Sequence, residues 1–397
     1  MKDNQLWTSD FMMLFSANFL MAIAFYLLMP TLPFYLISTW HLDKGTAGLV
    51  LACYVIASIS TRPFSGYFID RFSRKILYII SFILFVIVFG GYVIAGSLLI
   101  FIIFRITHGV IWGMLTTASN TLVIDITPSS RRGEAIGIFG LSSNIAMTIG
   151  PMAGLLLYEK LPFNYIFYTA ALTGLAGVLL ALPMKVRKRP KIAHGPLSLD
   201  RFVLLKGIPS GLNVIMITIS YGMIFSFSAM YGKENNINNP GIYFIIMAFG
   251  IMFSRITGGK LIERGRLKEV TVTAMIVLTG GMLILSLFQN RISFFSSALV
   301  NGIGFGLLFP ALQTLMVSLS THNQRGTATS TYFTAFDLGV GIGMFMGGKI
   351  AEFSGLSQSF MTGAVLAILS GVSFFVYTSS HFIRNRVDQT QMAANLP

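Results

Sequence analysis

Charge is what this sequence has least of. Only 11% of its 397 residues are Asp, Glu, Lys or Arg, where a water-soluble domain of this size carries about a quarter. Acids are the scarcer sign, 14 against 28 basic residues. Cysteine is nearly absent. The single thiol, Cys53, lies in an apolar run and is assigned no role, and an internal disulfide is excluded. The five histidines and the few acids are scattered. There is no His-Glu-x-x-His, no nucleophile motif, no metal-ligand cluster and no phosphate loop, so an enzyme is not expected and ATP is not the expected energy source. No A-x-A-like cleavage site follows the first apolar run, which is therefore expected to remain as a span.

The missing charge is replaced by 35 Phe, 21 Met and 39 Gly. Apolar runs of roughly 20 residues recur along the chain, each long enough to cross a hydrocarbon core of about 30 Å as a helix. They lack the alternation of a membrane β-barrel. The expected fold is an all-α membrane protein of twelve transmembrane helices, at about 10–37, 44–69, 76–97, 98–126, 133–158, 163–185, 207–232, 239–263, 269–288, 291–319, 326–352 and 357–383. Turn and charge signals separate them, such as His41-Leu42-Asp43-Lys44-Gly45 and Asn238-Asn239-Pro240-Gly241.

The formal net charge of +14 raises the question of nucleic acid. Its distribution answers it. With the N-terminus inside, nineteen Lys and Arg fall in cytoplasmic segments, while the other side holds four: Lys44, Lys160, Lys233 and Arg291. That asymmetry satisfies the positive-inside rule, so both termini are expected in the cytoplasm of a multi-pass cell-membrane protein. The expected partners are the lipid bilayer, protons and a small-molecule substrate, with no nucleic acid. The basic stretch 186–206 reads as a cytoplasmic linker between bundles at 1–185 and 207–397.

The chain repeats itself at an offset of 193 residues. Arg62/Arg255, Gly66/Gly259, Arg71/Arg264 and Lys75/Lys268 are identical, and Asp70/Glu263 keeps the acid. Without a gap the same register pairs Gly109/Gly302, Gly113/Gly306, Thr121/Thr314, Arg132/Arg325, Gly150/Gly343 and Gly154/Gly347. One register across a charged loop and three spans implies duplication of a six-span unit. Two parallel six-span halves with a site near the midplane follow the logic of secondary transporters.

Gly66-x-x-x-Asp70-Arg71-x-x-Arg74-Lys75 resembles the loop 2–3 signature of the major facilitator superfamily, with a degenerate copy at Gly259-x-x-x-Glu263-Arg264. Arg105-x-x-His108-Gly109 resembles a second signature, with His where Gln is commoner. Ala146-x-x-x-Gly150-Pro151-x-x-Gly154 resembles the antiporter signature of its twelve-span drug:proton antiporter group, departing from it at Leu155. Pro30-x-x-Pro33 also fits that group. The resemblance implies a conformational latch of Gly66, Asp70, Arg71, Arg74 and Asp125, in which Asp70 sits at the N-terminal end of span 11 and Arg74 pairs with Asp125; the alternative is a helix-end charge in a positive-inside loop. It implies that Gly150, Pro151 and Gly154 permit a kink and close packing against span 8, in a gating or a plain packing role. Spans 1, 4, 7 and 10 are implied to line the cavity. Their candidates are Asn18, Tyr26, Trp112, Asn120, Tyr221, Phe225, Phe305 and Gln313.

Ionisable groups within spans are functional candidates by default. Asp337 lies about 11 residues into span 11, roughly 16 Å from its cytoplasmic end at 1.5 Å per residue; its counterpart in the repeat is Asn144. A carboxyl at that depth can take up and release a proton, or serve in a structural hydrogen bond or ion pair. Arg105 and His108 are the other proton-coupling candidates. The expected activity is proton-coupled efflux of small organic molecules by a monomer without a cofactor, driven by the proton gradient. Proton symport or facilitated passage of a metabolite such as a sugar is the alternative. A transport-dead sensor or scaffold is a third reading.

Overall fold

The computed structural model describes residues 5–128, 131–186, 203–263, 266–320 and 324–386. Among these residues the regular structure is helical, with no strand. The first half holds α1 (Ser9–Leu28), α2 (Leu32–Trp40), α3 (Lys44–Arg71), α4 (Arg74–Ile94), α5 (Leu98–Ile126), α6 (Arg132–Lys160) and α7 (Asn164–Ala181). The second holds α8 (Ile208–Glu234), α9 (Ile242–Glu263), α10 (Leu267–Leu287), α11 (Arg291–Ser318), α12 (Arg325–Ser354), α13 (Leu356–Ser373) and α14 (Ser379–Asn385).

Local chemistry sets the ends. Thr8, Asp43, Ser97 and Asn290 each cap a helix by accepting from the backbone N–H three residues on. Ser97 and Asn290 are related by the 193-residue offset, so the duplication extends to the cap. The expected single helix over 10–37 is instead two. Pro30 has no N–H to donate, and its ring opposes the carbonyl one turn back. The Thr31 hydroxyl donates to the carbonyls of Leu27 at 3.0 Å and Leu28 at 3.1 Å. The Thr31 backbone N–H goes to the Leu28 carbonyl at 3.1 Å, so the hydroxyl supplies the Leu27 carbonyl with the donor that the break takes from it.

Among the described residues, ten helices are long and apolar enough to cross a membrane. Of the other two expected spans, α9 is apolar over its described stretch Ile242–Arg255, and α12 is rich in Gly, Ser and Thr. Those small residues are what a neighbouring helix needs. Gly339 and Gly343 lie against the backbone of Ile215 and Ile219 on α8. The surface matches a hydrocarbon solvent. On α4, Ile76, Ile80, Ile83, Ile87 and Ile94 are exposed, while Tyr78, Phe82, Phe85, Phe89 and Tyr92 are buried. Both sets recur at helical spacing, so one face meets lipid and the aromatic face meets protein.

The chain forms two compact units. The first comprises Met1–His194 with Phe225–Lys233 and Asn238–Ile245; the second comprises Gly195–Ile224, Glu234–Ile237 and Ile246–Pro397. In the first, α1 packs on α6 and α7, α3 on α5, and α4 on α5 and α7. In the second, α10 packs on α11 and α13, and α12 on α13. Close approaches repeat between them. Gly109 lies against the Tyr54 carbonyl and Gly113 against that of Ser58; Gly302 lies against the Met247 carbonyl and Gly306 against that of Ile251. Every member of these pairs is displaced by 193 residues.

The glycines of α6 correct one expectation. Gly150 lies against Tyr26 and Gly154 against the Leu27 carbonyl, so the close packing they permit is with α1. Met152 and Leu155 face Gly241, just ahead of α9. Residues four apart share a helix face, so the glycine pair and the span-8 contact occupy different faces of the helix.

Candidate functional site

The most demanding polar groups of the first unit lie on α5. Arg105, Gly109 and Gly113 are spaced four apart and form one stripe. The two glycines let α3 come close, which places Arg105 against α3 one turn earlier. Its Nη2 donates to the Leu51 carbonyl at 3.3 Å, and its guanidinium carbon lies 4.9 Å from the Tyr54 ring centroid. Arg105 is only 1% exposed. Among the described residues no carboxylate lies within ion-pair distance of it, and its Nε has no hydrogen-bond partner.

His108 and Trp112 form the neighbouring stripe. His108 Nδ1 and the Tyr92 hydroxyl are hydrogen-bonded at 2.9 Å, the tautomer deciding which donates. His108 Nε2 has no partner among the described residues. Rings enclose the imidazole: Phe85 at 4.7 Å, Phe89 at 5.1 Å and Phe25 at 6.3 Å between centroids. Trp112 stacks on Phe25 at 4.2 Å. Tyr26, next along α1, has its ring 6.0 Å from that of fully buried Phe225. A buried cation and a buried imidazole thus share one aromatic compartment. The second unit has no copy of it, since the repeat positions of Tyr92, Arg105 and His108 are Leu285, Ala298 and Asn301.

Other candidates fall elsewhere. Buried Asn18 donates to Ser142 Oγ at 2.7 Å and Ser143 Oγ at 3.0 Å, joining α1 to α6. Asn120 is exposed and donates to the Thr116 carbonyl of its own helix at 2.8 Å. In the second unit, Tyr221 meets Phe305 at 5.1 Å, Phe309 at 5.3 Å and Phe336 at 5.7 Å. Asp337 follows Phe336 on α12 and is half-buried, as is Gln313 on α11. Arg74 Nη1 donates to both carboxylate oxygens of Asp125, at 2.8 and 2.7 Å, with the Asp125 side chain 3% exposed. Arg71 ends α3 and is exposed. The surroundings of Gly66 and the side chains of Asp70 and Asn144 lie outside the described residues.

Tyr92 and Tyr54 were not singled out by the sequence reading. Each looks like one more aromatic in an apolar span. The available signal is the glycine spacing that turns Arg105 toward α3.

This arrangement of long apolar helices, a lipid-facing isoleucine stripe and a duplicated packing scheme defines a multi-pass membrane protein. The sequence profile of the Major Facilitator Superfamily matches residues 14–233 and 210–392. The chain belongs to that superfamily, has its twelve-helix fold, and is a membrane transporter. It is 25% identical to the multidrug resistance protein MdtG of Escherichia coli O6:K15:H31 (strain 536), over 96% of this chain and 97% of that protein. Solved structures with the same fold include a mutant of the peptide transporter POT, at a TM-score of 0.80 and 13% identity over 95% of each chain. Another is a D-xylose–proton symporter, at a TM-score of 0.75 and 14% identity over 93% of this chain and 97% of that one.

Proposed function

We propose that this chain exports small, largely apolar organic molecules in exchange for protons. The observation that carries the reading is the compartment of Arg105, His108 and Tyr92. Holding a cation and an imidazole inside a membrane costs free energy, and such groups persist where they serve a substrate or proton path. Imidazole is the side chain whose unperturbed titration lies nearest neutral pH. Its aromatic surroundings, with Phe25, Tyr26, Trp112 and Phe225, suit an apolar or amphipathic molecule with few fixed polar contacts. The name of the relative MdtG, a multidrug resistance protein, supports organic compounds as the substrate class.

Asp337 is the acid assigned to proton exchange in the second unit. Gly66, Asp70, Arg71, Arg74 and Asp125 are assigned to the latch, with the Arg74–Asp125 pair holding the α3–α4 turn to the end of α5. Both termini are placed in the cytoplasm.

Inverted membrane vesicles containing the chain and a fluorescent lipophilic compound test the proposal. An acid-inside gradient is expected to drive accumulation and an alkaline-inside gradient is not. The reverse dependence assigns symport, and accumulation indifferent to the gradient removes proton coupling.

A further inference from the structure

A second aromatic site lies where the start of α2 meets the end of α6. Phe34 on α2 and Tyr158 on α6 stack with centroids 4.9 Å apart and planes 26° from parallel. The Nζ of Lys233, in the last turn of α8, lies 4.3 Å from the Tyr158 centroid and 5.2 Å from that of Phe34. Both distances fall inside the roughly 6 Å reach over which a ring's negative face attracts a cation. Glu159, adjacent to Tyr158, places Oε1 3.8 Å from the same nitrogen. All four residues belong to the first unit.

The way this ammonium is held matters. A lysine carries three N–H donors and usually spends them on oxygen acceptors. Here the carboxylate sits beyond hydrogen-bond distance, and among the described residues no acceptor hydrogen-bonds to Nζ. Ring faces and a nearby negative charge hold the cation instead. A receptor that asks for charge and shape without asking for N–H groups accepts alkylated ammonium ions as readily as primary ones. Neither Lys233 nor Glu159 is sealed off, since their side chains are 34% and 28% exposed.

We propose that Phe34, Tyr158 and Glu159 form a receptor for organic ammonium ions, which Lys233 occupies as a tethered ligand and from which a free ammonium ion can displace it. Identifying that free ion with transported cargo rests on the export reading above; the receptor itself does not. In an exporter, the tethered lysine would refill the receptor as cargo leaves and so oppose its return.

The test uses the full-length chain purified into lipid nanodiscs, with tetramethylammonium as the probe and neutral tert-butanol as the shape control, titrated by ligand-observed NMR. Lys233→Ala empties the receptor and is expected to bind tetramethylammonium at least about tenfold more tightly than the unaltered chain. Adding Tyr158→Leu is expected to abolish the gain, and adding Glu159→Gln to reduce it several-fold. tert-Butanol is expected to show no gain. Lys233→Met replaces Lys233→Ala if the latter elutes as aggregate. Equal binding by the lysine-free and unaltered chains overturns the proposal, as does binding that survives loss of Tyr158. No gradient is present, so loss of export with this pattern intact counts against the export reading alone. Export without the pattern counts against the receptor alone.

Discussion

Gly109 and Gly302 make the same approach in the two units, one against the carbonyl of Tyr54 and the other against that of Met247. Partners as well as glycines are displaced by 193 residues, so the duplication is conserved as a helix–helix contact. A side chain at either position would meet backbone, which cannot swing aside. Gly109→Ala and Gly302→Ala are each expected to cost at least about 2 kcal/mol. Gly280→Ala in α10 is the control. No atom lies within 4 Å of a β-carbon there, and replacing an interior helical glycine gains about 0.5–1 kcal/mol. Thermal unfolding in detergent reads the contrast as opposite shifts in midpoint.

The Arg74–Asp125 pair gives a second prediction. Asp125 is the buried partner, at 3% side-chain exposure against 23% for Arg74. Removing the arginine takes away a charge that offsets the desolvation of this buried carboxylate, which is destabilising. Arg74→Ala is therefore expected to destabilise the chain more than Arg74→Ala combined with Asp125→Asn. A double-variant loss equal to the sum of the losses of Arg74→Ala and Asp125→Asn measured singly would show that the two side chains are not coupled.

Tyr92 orients His108. Tyr92→Phe keeps the ring but deletes the hydroxyl that Nδ1 meets at 2.9 Å. An unsatisfied buried polar atom costs about 1–3 kcal/mol. Under the export reading, the variant is also expected to alter the pH dependence of transport. Leu285→Ala, at the equivalent position of the second unit, is expected to lower stability while leaving that pH dependence unchanged. Transport rate against pH for the two variants, at matched protein level, separates positioning from packing.

Much of the fold was legible because membrane solvent imposes a simple rule. A run of about 20 apolar residues must form a helix. Span 4 was expected at 98–126 and is helical over Leu98–Ile126. Two features escaped that rule. The break at Met29–Thr31 depends on a proline and one hydroxyl, and average hydropathy registers neither. The neighbour of Gly150 and Gly154 depends on which helix face turns inward, and α6 has small residues on more than one face. In the site, Arg105 and His108 stand out because charge is rare in spans. Tyr92, Tyr54 and the rings around Lys233 do not, since 13% of the chain is aromatic and most such rings simply fill space. Glycine spacing turns Arg105 toward α3 and so toward Tyr54; for Tyr92 and the rings around Lys233, three-dimensional adjacency is the mark.

Proteoliposomes carrying a pH-sensitive dye in their lumen test proton-coupled transport most directly. Compounds accumulated in the vesicle assay are added to a preset pH gradient, with the chain unaltered or carrying Asp337→Asn. The expected result is dissipation of the gradient in step with compound movement for the unaltered chain, and neither flux for Asp337→Asn. Compound movement without proton movement, or proton movement undiminished by Asp337→Asn, would contradict the account.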